Sequence, residues 1–109
     1  MNADEVREKF EIIESIGSTA VLEQLAEESA ELAQAALKVS RILRGVNPTP
    51  VTLDRALESL REEVGDVLLC LSVLECAFGR LSSDSGMAQK QERWKRRIKE
   101  SREANGNDL

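Results

Sequence analysis

The sequence predicts an all-α protein folded as an up-and-down four-helix bundle, and three observations predict it. Good helix formers dominate, with 2 Pro, 6 Gly, 1 Trp, 2 Phe and no Tyr in 109 residues. Apolar residues recur every three or four positions over long stretches. Helix breakers are confined to a few short clusters. The length fits one domain, residues 1–104, with a modest core and a frayed tail over residues 105–109.

Asp4 to Ile16 reads as the first helix, carrying Val6, Phe10 and Ile13. Gly17-Ser18-Thr19 supplies a stop and a new N-cap. The second helix follows from about Ala20 to Leu43, with Leu22, Leu25, Ser29, Leu32, Ala36, Val39 and Leu43 as its stripe. Gly45 to Thr52, with two Pro, is the strongest breaker cluster and reads as a loop rather than a domain boundary. Thr52 caps a third helix, Leu53 to Gly79, whose seam is Leu53, Leu57, Leu60, Val64, Val67, Leu71, Leu74 and Phe78. Ser82 to Gly86 makes a turn, and a fourth helix runs from about Met87 to Glu103 with Trp94 and Ile98 as apolar anchors. Short connections make the up-and-down bundle the default arrangement.

Charge and cysteine usage narrow the function. The net charge is -5, yet Lys90 to Glu103 holds seven Lys or Arg against three Glu, a local +4 on an otherwise acidic chain. A general nucleic-acid binder wants a wide basic face, so no polymeric nucleic acid is expected. Met1 to Phe10 is too charged for a signal peptide, and no apolar run approaches the roughly 20 residues that span a bilayer. Cys70 and Cys76 fall on one helix about 9 Å apart along its axis, too far to bridge, and read as reduced core residues of a cytoplasmic protein.

Acidic residues mark the candidate site. Leu60 to Leu71 places Glu63 and Asp66 at the mouth of an almost unbroken apolar run. Three apart on a helix, the two are neighbours on one side. Glu28 and Glu31 repeat this spacing inside the second helix, where Glu28 lies roughly 40° from Leu32 and Glu31 at the edge of the stripe. Glu27 points away. Carboxylates entering a buried face are costly unless a cation neutralises them, and two antiparallel helices would gather these four. Oxygen ligands without His or thiolate favour Mg²⁺ or Mn²⁺. The absence of His excludes the Glu-x-x-His set of a di-iron bundle. Gly65, between Glu63 and Asp66, allows either close helix packing or room for a metal or phosphate. Lys90, Arg93 and Arg97 line one side of the last helix, either as a solvated face or as cations set against phosphate.

Glu27-Glu28-x-x-Glu31 followed by Glu62-Glu63-x-x-Asp66, over roughly Gly17 to Leu81, resembles the MazG-like all-α nucleoside triphosphate pyrophosphohydrolases. The separation of the two halves is longer than in compact members. The resemblance implies cleavage between the α- and β-phosphates of a ribo- or deoxynucleoside triphosphate, giving the monophosphate and pyrophosphate, as in nucleotide-pool house-cleaning. It implies that Glu28, Glu31, Glu63 and Asp66 hold Mg²⁺, with Glu27 or Glu62 supporting them from outside. It also implies a homodimer or homotetramer, and Leu69, Val73 and Ala77, apolar yet off the main seam of the third helix, fit that expectation. Two further readings stand beside it: a non-enzymatic helical dimerisation module, and a relative of the phosphoribosyl-ATP pyrophosphohydrolases.

Overall fold

The computed structural model describes residues 2–45 and 48–106, and its described residues are helical with short connections. Three helices follow one another: α1 (Ala3–Arg44), α2 (Leu53–Phe78) and α3 (Asp84–Ala104). The chain divides into two compact units, Met1–Gly79 and Arg80–Leu109. No helix among the described residues is long and apolar enough to cross a membrane.

The two helices expected before Gly45 are the two arms of α1, which meet at a kink at Gly17, where the backbone is non-helical. There φ is 85° and ψ 159°, a conformation open to Gly and closed to residues with a Cβ. The break lets the first arm bend, and Ile13 still packs on the core with Val21. Asn2 caps the start of α1 by accepting from the Glu5 N–H at 2.9 Å. Gly45, at φ 66°, closes it by donating its N–H to the Arg41 carbonyl. Thr52 caps α2 as expected, accepting from the Arg55 N–H. Of the loop expected between them, Val46 and Asn47 lie outside the described residues.

Within the first unit α1 and α2 pack antiparallel. Val21 near the start of the packed arm meets Val73 and Leu74 near the end of α2. At the opposite end, Lys38 and Arg41 share a groove with Ala56. The inward stripe of α1 is Val21, Leu25, Glu28, Leu32, Ala35, Val39 and Ile42, all buried or half-buried. It keeps Leu25, Leu32 and Val39 from the expected stripe but is rotated: Leu22, Ser29, Ala36 and Leu43 are exposed. On α2 the stripe is Leu53, Ala56, Leu60, Glu63, Val67, Cys70 and Leu74, while Val64 and Phe78 face outward. Ala56 at 1% exposure sits at the interface, where a small residue permits close approach. Val73, expected off the seam, is core at 3% exposure. Each stripe therefore holds one acidic residue among apolar ones.

In the second unit α3 starts three residues earlier than expected. Ser83 caps it by accepting from the Gly86 N–H at 3.1 Å, so Gly86 is the third residue of the helix rather than part of a turn. None of its residues is buried, and Trp94, expected as an anchor, is 70% exposed. Asn105 and Gly106 form a turn after it. Residues 107–109 of the expected frayed tail lie outside the described residues.

Candidate metal centre

Glu28 and Glu63 occupy corresponding places in the two facing stripes, so helix packing alone brings them together. Glu31, one turn after Glu28, completes a cluster. One carboxylate oxygen from each of Glu28, Glu31 and Glu63 lies within 4.8 Å of the other two. Glu28 and Glu63 are half-buried and Glu31 is exposed, so the cluster opens to solvent on the Glu31 side.

The hydrogen bonding of the cluster is incomplete. Gln24, one turn before Glu28, donates its Nε2 to Glu28 Oε1 at 2.8 Å. Glu28 Oε2 and Glu63 Oε2 are both occluded from solvent and have no hydrogen-bond partner. Glu31 can hydrogen-bond to either neighbour only when one carboxyl of the pair carries a proton. Two occluded, unpartnered anionic oxygens are expensive. A hard divalent cation is the group that such an all-oxygen donor set fits.

The electrostatics point the same way. At Glu28 the Gln24 hydrogen bond lowers the pKa, but burial and the charges of Glu31 and Asp66 outweigh it, and the net shift is upward. At Glu63 burial pushes the pKa up, and the charges of Glu31, Asp66 and Glu28 add to it. Burial also pushes up the Cys70 thiol, one turn beyond Asp66, with help from the charges of Glu28 and Asp66. Cys70 is buried and Cys76 half-buried, both as free thiols.

Of the residues singled out in the sequence, Glu28, Glu31 and Glu63 converge. Asp66 is exposed and stands outside the converging set, yet its charge reaches both Glu28 and Glu63. Glu27 and Glu62 are exposed. Gly65 has no close neighbour: a Cβ built there would meet nothing within 4 Å, so helix packing does not account for it. Lys90, Arg93 and Arg97 share one face of α3 with Trp94, in the second unit.

Sequence reasoning missed Gln24 and the polar groove that leads away from the cluster. That groove, about 380 Å³, is lined by Glu31, Gln34, Ala35, Lys38, Arg41, Ala56, Ser59 and Glu63. A signal for it was present. Lys38 follows Glu31 by seven residues, within about 20° on a helix of 3.6 residues per turn. No family model, curated protein or solved structure matches the chain.

Proposed function

We propose that the protein is a Mg²⁺-dependent nucleotide pyrophosphohydrolase that converts a nucleoside triphosphate, ribo or deoxy, to the monophosphate and pyrophosphate. The observation that carries the metal site is the convergence of Glu28, Glu31 and Glu63, two of whose oxygens are occluded without a partner. The choice of reaction rests on the resemblance of the double acidic motif to the MazG-like family.

Glu28, Glu31 and Glu63 would hold the ion, and Asp66 would add negative charge beside them. Gln24 steadies the Glu28 carboxylate by donating to Oε1, while Oε2 has no hydrogen-bond partner. Mg²⁺ when bound offsets the charge on phosphate oxygens and makes neighbouring water more acidic. The oxygen of water attacks the α-phosphorus, and the bond from that phosphorus to the bridging oxygen breaks. The leaving pyrophosphate keeps the bridging oxygen and its electron pair, and the water's proton passes to solvent or a carboxylate. No side chain forms a covalent intermediate. Lys90, Arg93 and Arg97 are cations available to phosphate on α3. A four-helix bundle and a homodimer or homotetramer complete the reading. It is supported by exposed Leu68 and Leu69 on α2, which a lone unit leaves in water.

The test is incubation with each common triphosphate and Mg²⁺, with products separated by chromatography. Monophosphate and pyrophosphate are expected from at least one. Glu28→Gln, Glu31→Gln, Glu63→Gln and Asp66→Asn should each cost much of the rate, with paired effects smaller than the product of the single ones. Orthophosphate with a nucleoside diphosphate would refute the proposed cleavage position. No turnover across the panel, together with absent metal binding, would favour a non-enzymatic helical dimerisation module, the reading that the exposed apolar side chains alone support.

A further inference from the structure

The groove between α1 and α2 joins two opposite chemistries. Glu31 and Glu63 stand at one end, and Lys38 and Arg41 lie two to three turns further along α1. Ala35 and Ala56 keep its floor low, and Ser59 adds a hydroxyl. Side chains on a helix lean toward its N-terminus, so Lys38 and Arg41 lean back toward Glu31 rather than away from it. Neither Lys38 nor Arg41 has an ion-pair partner among the described residues. Lys38 is half-buried nonetheless. A half-buried lysine with no carboxylate in ion-pair contact keeps its ammonium donors for an anion once the acidic charge nearby is cancelled.

We infer that this groove is a diphosphate site, with Lys38 and Arg41 gripping the phosphates that leave and the carboxylates holding the metal at its other end. The inference rests on the metal reading above and adds to it the position and partners of the leaving group. Charge explains the arrangement. Without a divalent cation, Glu31 and Glu63 balance Lys38 and Arg41 and repel an incoming anion. With the cation bound, most of the acidic charge is cancelled, and the two basic side chains are left to meet phosphate. Arginine's planar fork suits two phosphate oxygens at once, while lysine supplies a compact charge. The groove's volume, about 380 Å³, lies within the range of small-molecule sites. An anion seated there is held by one α-helix and faced by another, so its position relative to the metal is fixed by the packing of the first unit alone.

The experiment is a calorimetric titration of the full chain with inorganic pyrophosphate, in Mn²⁺ and in EDTA, beside a titration with Mn²⁺ alone. Sulfate serves as a control for unselective anion binding. The wild-type protein should bind pyrophosphate at least tenfold more tightly with Mn²⁺ than without, and more tightly than sulfate. The double variant Lys38→Gln, Arg41→Gln should keep its Mn²⁺ affinity within twofold and lose at least tenfold in pyrophosphate affinity. Arg41 is exposed, so Arg41→Gln alone carries the test should the double variant fail to fold. Unchanged pyrophosphate affinity in a folded variant overturns the inference, as does equal binding of sulfate or no pyrophosphate binding by the wild type. Absent Mn²⁺ binding would sink the metal reading separately. The groove would then stand or fall on whether the same substitutions weaken pyrophosphate binding in EDTA.

Discussion

A glutamate on the packed stripe of a helix costs free energy unless a cation meets it, and here two facing stripes each carry one. Glu28 and Glu63 have folded-state pKa values above the ordinary 4.5. Between the ordinary and the raised values the folded chain binds more protons than the unfolded one. The metal-free protein should therefore lose stability as pH rises from about 4.5 through the raised values, and the loss should be complete above them. Urea unfolding in EDTA at pH 5 and pH 7 measures this, with the higher midpoint expected at pH 5. Glu63→Gln should flatten the difference and raise the midpoint at pH 7. A wild-type midpoint that falls on going from pH 7 to pH 5 would contradict the assignment. These two glutamates were legible in the sequence because each interrupts an apolar pattern. Lys38 and Arg41 were not singled out. Their role depends on which faces of α1 and α2 meet, and the expected stripe was rotated away from the observed one.

Helix identities were legible wherever a local signal is decisive. Thr52 as a cap, Gly45 as a stop and the apolar repeats of the helices on either side are all short-range features. Gly17 was read as the stop between two helices, and it is the residue at which α1 kinks into two arms. Gly86 was read as a turn because sequence cannot tell a glycine at the third position of a helix from one in a loop; the Ser83 cap decides it. The two glycines flanking the site elements should respond in opposite ways to alanine. Gly17→Ala forces a Cβ into a conformation nearly closed to it and should cost about 1–3 kcal/mol. Gly65→Ala lies mid-helix with open space around its Cβ and should stabilise by about 1 kcal/mol. Thermal melts of the two variants beside wild type check both signs.

At the scale of the whole molecule, burial is thin. Among the described residues, Leu22, Leu37 and Leu43 on α1 and Leu68 and Leu69 on α2 remain exposed, beside a core of Val21, Val73 and Leu74. So many exposed leucines on two packed helices are surface that a second copy could cover. Light scattering at micromolar concentration should give a dimer or tetramer, and Leu69→Glu should shift it toward monomer; a wild-type monomer would refute assembly and leave the metal site standing. The all-α class was readable from composition and period. Which apolar positions stay exposed was not, because they look alike in sequence whether they meet a neighbouring helix or face solvent. The carboxylate cluster is the claim on which the functional account depends, and the melting temperature tests it most directly. Binding of a divalent cation to the folded state at a hundredfold over its dissociation constant stabilises by about 2.7 kcal/mol, or on the order of 10 °C for a domain of this size. The melting temperature should rise by several degrees from EDTA to millimolar Mg²⁺ or Mn²⁺, and Glu28→Gln and Glu63→Gln should lose most of that rise. Identical melting of the wild-type protein in EDTA and in either cation would contradict the metal centre.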